Sequence, residues 1–229
     1  MDDKAQAAGS RRWVKVWDGP VRLFHWLLVA LVVTAYISAE TGKLDLHFMT
    51  GYAILTLVLF RILWGLVGSD TARFTQFIKS PAAAFAHLAH VLRRQPEDET
   101  GHNPAGAFMV VALLALLLFQ TITGLFSNDG MFEEAPLAHL LGGGWSNTFT
   151  LMHGFSFDLI VIAVVAHVAA ILLYAVLLRQ DLVRPMVTGW KRLPQSFAAP
   201  HMAPIWLALA MLVIAAGIVW FVVNIVSAG

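Results

Sequence analysis

His153-Gly-Phe-Ser-Phe-Asp-Leu-Ile-Val-Ile-Ala-Val-Val-Ala-His167 is the stretch whose reading decides the fold. It lies inside an apolar run from about 150 to 178, longer than the ~20 residues a helix needs to cross a bilayer. An imidazole within lipid is costly and by default marks a functional site. The two histidines are 14 residues apart, about four helical turns and a rise of ~21 Å, so they share one face near opposite sides of the hydrocarbon core. One helix can serve two levels.

Four further runs, at about 21 to 39, 47 to 68, 104 to 127 and 204 to 226, are long enough to span. With 59% of 229 residues hydrophobic and only 13% charged, the chain reads as an all-α membrane protein of five transmembrane helices. The basic residues choose the orientation. Lys4, Arg11, Arg12, Lys15 and Arg22 precede or open the first span; Arg61, Arg73, Lys79, Arg93 and Arg94 end or follow the second; Arg179, Arg184, Lys191 and Arg192 follow the fourth. Lys43 alone lies on the other side, which places the N-terminus in the cytoplasm and the C-terminus outside. Acidic Glu40, Asp45, Asp129, Glu133 and Glu134 agree with that orientation. The net charge of +1 says nothing of nucleic acid, and the basic residues are scattered between spans without a dense patch, so no nucleic-acid partner is expected.

The expected organisation is a cytoplasmic segment at 1–20, a four-helix domain at 21–195 and an additional helix at 204–226. Within the domain, the linker at 69–103 is predicted to carry an amphipathic surface helix from Pro81 to Arg94, followed by Glu97-Asp98-Glu99. The loop from about 128 to 149 ends in Gly142-Gly143-Gly144 and is predicted to hold a short helix at 135 to 141. Asp2 and Asp3 open the chain and no small-residue cleavage site follows Tyr36, so the first span is expected to stay in the protein. The absence of cysteine excludes disulfides, cysteine-ligated iron-sulfur clusters and covalent heme attachment.

Depth then sorts the histidines. The first helix enters from the cytoplasm with His25 near that side, and the second enters from outside with His47 at its start. Matching depths pairs His25 with His167 and His47 with His153. Two neutral imidazoles on opposite faces of a porphyrin iron make a six-coordinate site suited to electron transfer. Zinc or non-heme iron would ask for three or four converging ligands, often acidic, and no carboxylate is expected beside either pair. Gly51, one turn after His47, is expected to give room to a flat macrocycle; Gly154 and the alanines around His167 serve that or ordinary helix packing. Arg22, Arg61 and Arg179 are open to two readings, pairing with heme propionates or snorkelling to the interface. His102, at the start of the third span, competes with His25 as partner to His167. His87, His90, His139 and His201 lie where water can satisfy them, and Met49 and Met152 read as gap fillers.

Arg22-Leu-Phe-His25-Trp26, His47-Phe-Met-Thr-Gly51-Tyr52, His102-Asn-Pro-Ala-Gly106 and Thr121-Ile-Thr-Gly124, with His153 and His167, resemble the prokaryotic diheme cytochrome b family. That family includes bacterial cytochrome b561 and the b-type subunits of membrane nickel-iron hydrogenases. The resemblance covers roughly residues 13 to 195, and the fifth helix departs from it as a packing or assembly element. It implies a bundle in the bacterial inner membrane holding two noncovalent, bis-histidine heme b groups. The ligands it implies are the depth-matched pairs, His25 with His167 and His47 with His153. It also implies electron exchange between quinone or quinol and a redox partner such as a c-type cytochrome. The chain then acts as an electron carrier rather than a stand-alone enzyme, with quinol/quinone oxidoreductase activity and homo-oligomerisation left open. Two alternatives stand beside it: a membrane-anchor b-type subunit of a larger oxidoreductase such as a hydrogenase, and a heme-free transporter or scaffold.

Overall fold

Three residues join the first two long helices, Gly19–Glu40 (α1) and Leu44–Val67 (α2). Gly42 takes φ +66°, a left-handed conformation that glycine alone adopts freely, and the Lys43 N–H donates to the Ser38 carbonyl at 2.8 Å. The first helix therefore ends with its carbonyls satisfied, and the turn leaves His47 in the first turn of the second. This computed structural model describes residues 10–92, 98–128, 135–141 and 143–226. Lys4, Arg93, Arg94, Glu97, Asp129, Glu133, Glu134, Gly142 and the side chain of His90 lie outside that description.

After α2 come two helices of the linker, Phe74–Phe77 (α3) and Pro81–Leu92 (α4), then Pro104–Leu125 (α5), a 3₁₀ turn at Ala138–Leu140 and the 35-residue Gly143–Leu177 (α6). Val183–Thr188 (α7) and Ile205–Phe221 (α8) complete the helices, with a π-helical turn at Val222–Val226. Among the described residues, α1, α2, α5, α6 and α8 with its π turn are long and apolar enough to cross a membrane. The five expected spans are all present. The chief difference is α6, which starts at Gly143 rather than near 150. Ser146 explains the extension: its buried hydroxyl donates to the Phe126 carbonyl at 2.7 Å, and Asn128 N–H donates to Thr150 Oγ1 at 3.0 Å, holding the two extra turns.

A two-stranded sheet was not foreseen. Arg11–Lys15 (β1) pairs antiparallel with Trp190–Pro194 (β2), Arg11 opposite Pro194 and Lys15 opposite Trp190. Alternation turns Val14 and Val16 inward, 2% and 1% exposed, with Leu193 at 0%.

The chain folds as two compact units. One comprises Met1–Leu23, Trp64–Val111 and Val165–Leu207. In it the Asp18 carboxylate, 3% exposed, accepts from the Val21 N–H at 2.7 Å and from Trp64 Nε1 at 3.0 Å, so one buried group both caps α1 and anchors the end of α2. Gly189, φ +88°, ends α7, where an added Cβ would lie 2.9 Å from the Trp17 carbonyl oxygen. The other unit comprises Phe24–Leu63, Ala112–Val164 and Ala208–Gly229. Its apolar core joins Leu55 of α2, Leu125 of α5, Leu137 and Val219 of α8, so the fifth spanning helix packs on the second and third.

Candidate functional site

His47 and His153 come together within the second unit. Their ring centroids are 6.1 Å apart and the ring planes cross at 83°. Each ring is held at Nδ1 by a main-chain carbonyl: His47 donates to Ala35 O at 2.9 Å and His153 to Gln120 O at 2.9 Å. A proton committed to Nδ1 leaves the lone pair on Nε2, which is how a backbone carbonyl orients a metal-ligating imidazole. The hydrogen-bond network assigns this tautomer. Accordingly the Gln120 side-chain amide donates to His153 Nε2 at 3.1 Å, while its Oε1 accepts from the Ser156 hydroxyl.

Close approach of α5 to the His153 ring depends on Gly124. A Cβ there would stand 2.9 Å from His153 Cε1, inside any normal contact. Gly51, by contrast, faces open space: a Cβ would meet nothing within 4 Å. Gln120 is the residue that sequence reasoning missed here, while Gly124 entered only as the end of a motif, with no role given to it. The signal was present, since Gln120 opens the polar Gln-Thr-x-Thr-Gly stretch that interrupts an apolar run.

The remaining predicted residues fall as follows. His25, half-buried, stands edge-on to Trp26 with centroids 4.9 Å apart. His167, also half-buried, makes no hydrogen bond among the described residues. His102 is packed between Trp17 and Phe77, at centroid distances of 4.6 and 4.9 Å. Arg22 donates to the Val187 carbonyl, which fixes it in the first unit. Arg61 is 2% exposed, so it is buried in protein rather than snorkelling. His139 and His201 are exposed, as expected.

His87 corrects the sequence reading. It is 7% exposed rather than water-satisfied, and its Nε2 lies 2.7 Å from Tyr174 Oη, which also accepts from Asn103 Nδ2 at 2.8 Å. The surface linker is thereby pinned to the end of α6. These residues line a small cavity with Glu99, Gln180 and Lys191. Burial pushes the Lys191 ammonium below the usual lysine range, opposed by Asp98 and Glu99, and Lys191 Nζ donates to the Glu99 carbonyl at 3.0 Å.

Asp158 is the carboxylate that the reading passed over. It lies in α6, five residues beyond His153, about 140° around the helix and hence not beside the ligand pair.

Comparison with known proteins places the chain. The family model for prokaryotic cytochrome b561 matches residues 16–189. A probable Ni/Fe-hydrogenase B-type cytochrome subunit from Rhizobium leguminosarum bv. viciae is 25% identical over 82% of this chain and 92% of its own length. The probable Ni/Fe-hydrogenase 1 B-type cytochrome subunit of Escherichia coli (strain K12) is 25% identical over 77% and 89%. A probable Ni/Fe-hydrogenase B-type cytochrome subunit from Rhodobacter capsulatus is 28% identical over 78% and 81%. No solved structure matches significantly. With the five spanning helices, the match shows that this chain belongs to the prokaryotic cytochrome b561 family, as a multi-pass membrane b-type cytochrome that takes part in electron transfer.

Proposed function

We propose that the chain is a diheme electron carrier of the bacterial inner membrane, N-terminus in the cytoplasm and C-terminus in the periplasm, linking the quinone pool to a redox partner protein such as a c-type cytochrome. His47 and His153 hold the periplasmic-side heme b, and His25 and His167 the cytoplasmic-side one, each noncovalently and through two imidazoles. Gly51 would give the outer macrocycle room, and Arg22 and Arg61 would be the residues that pair with propionates. When bound, heme b supplies reversible one-electron transfer; the protein contributes ligand orientation, burial and separation.

One observation carries the reading. The His47 and His153 ring centroids stand 6.1 Å apart, a separation at which both imidazoles would reach one heme iron held between them. The Nδ1 bonds to Ala35 and Gln120 turn the Nε2 atoms into the ligating ones. The test is heme content by pyridine hemochrome on the purified protein. Two heme b per chain are expected, falling to one in His153→Ala and to one in His167→Ala; a wild type lacking b-type absorbance would end the reading.

The names of the relatives favour a second reading, in which the same carrier works as the b-type subunit of a larger oxidoreductase. It predicts stable copurification with a metal- or flavin-bearing subunit after mild detergent extraction.

A further inference from the structure

Asp158 is exposed, and it has no hydrogen bond or ion pair among the described residues. It stands about 7.5 Å of helix rise beyond His153, inside the span. Three neighbours share its face: Leu151, Phe155 and Ile162, exposed by 77%, 65% and 64%. The spacing 151, 155, 158, 162 alternates four and three, the seam along which two helices pack. The other sides of this stretch are already engaged. Ser156 bonds to Gln120 of α5, Phe157 stacks on Tyr36 of α1 at 5.4 Å, and Ile160 is 3% exposed. Within this unit α8 packs on α2 and α5.

An apolar helix face in lipid needs no cover. A carboxylate there does, because polar groups at this depth are costly unless a partner supplies hydrogen bonds. The geometry points to an interface: we infer that Leu151, Phe155, Asp158 and Ile162 receive a transmembrane helix of a different polypeptide, apolar along its contact and bearing one lysine or arginine at the depth of Asp158. Charge complementarity selects this occupant. A second copy of the chain shares its orientation, so a two-fold axis along the membrane normal would set Asp158 against Asp158. The inference goes beyond the heme reading and depends only on the chain crossing the membrane.

The test uses full-length, heme-loaded protein in lipid nanodiscs and two synthetic leucine-alanine peptides of about 24 residues, one with lysine at its midpoint and one with leucine there. Energy transfer from labelled protein reports association. The lysine peptide is expected to bind about tenfold more tightly than the leucine peptide, and Asp158→Leu is expected to erase that preference. Leucine is at home in lipid, so the variant keeps its fold and its reduced-minus-oxidised spectrum. Equal binding of both peptides to the wild type would overturn the interface, as would a preference that survives in Asp158→Leu. Self-association of differently labelled wild-type copies that Asp158→Leu abolishes would overturn the hetero-partner and assign the seam to a second copy. Absence of b-type absorbance from the wild type would sink the heme reading while the peptide arms still reported on the seam.

Discussion

His153 and His167 stand on one helix and are built differently. The His153 ring is held by the Gln120 carbonyl, approached by Gly124 and faced by His47 at 6.1 Å, whereas the His167 ring makes no hydrogen bond among the described residues. The polypeptide alone orders the first imidazole. The second has no hydrogen bond among the described residues to orient it, so on the proposed reading it gains its fixed position from the cofactor. Preorganisation lowers the cost of binding, and the two proposed sites should therefore differ in how readily they accept heme.

The most severe test of this contrast is to extract heme and add hemin back in steps. The first equivalent is expected to enter at His47 and His153 with an affinity about tenfold to a hundredfold above the second, the range over which oriented ligand shells act. The tight phase should vanish in His153→Ala and persist in His167→Ala; two phases of equal affinity would erase the distinction. Gly124→Val narrows the same question, since its side chain would drive against the His153 ring. About tenfold weaker binding is expected at the outer site only, read as loss of one heme per chain after dialysis. A milder change is Gln120→Leu, which removes the amide that donates to His153 Nε2 but keeps the main-chain carbonyl at Nδ1. Freed of a bond of about 1 kcal/mol, the outer site should take up hemin about fivefold faster in stopped flow. Slower uptake would mean that Gln120 orients the ring rather than competes for it.

The smallest expected effect lies in the other unit, at Lys191. Burial disfavours its charged form, so the folded state holds this proton less tightly than the unfolded chain does. Its contribution to stability therefore grows as pH rises toward the ordinary lysine value of 10.5 and is lost as pH falls through the lowered one. The acylation profile of Lys191, read by mass spectrometry, should lie to the acid side of a free lysine, and Lys191→Met should flatten the alkaline limb of thermal stability.

The spans were legible because lipid imposes one rule on every turn of a helix, and runs such as 150 to 178 satisfy it without help from tertiary contacts. That the His47 and His153 rings lie near one another was legible for the same reason, as depth follows from residue count. What escaped depends on partners distant in the chain. Val14 and Val16 make only two beats of a strand pattern, and the segment they pair with begins at Trp190. His87 reads as a surface residue until Tyr174, 87 positions on, is brought to its ring. Gln120 and Gly124 acquire meaning only once α5 is known to lie against His153. Asp158 was hidden by its surroundings, one acid in an apolar stretch judged by its average.

The strand pair also orders the birth of the molecule. β1 is made before β2, with every helix from α1 to α7 between them. A contact of such long sequence separation forms late, after the closure entropy of the whole intervening chain has been met. Until Trp190–Pro194 leaves the ribosome, Val14 has no neighbouring strand to cover it, and the exposed edge at Arg11–Lys15 is open to protease. Closure of this small sheet thus reports that four membrane helices have been inserted and brought back to where they began, and a truncated or misthreaded chain would carry its own degradation signal at the N-terminus.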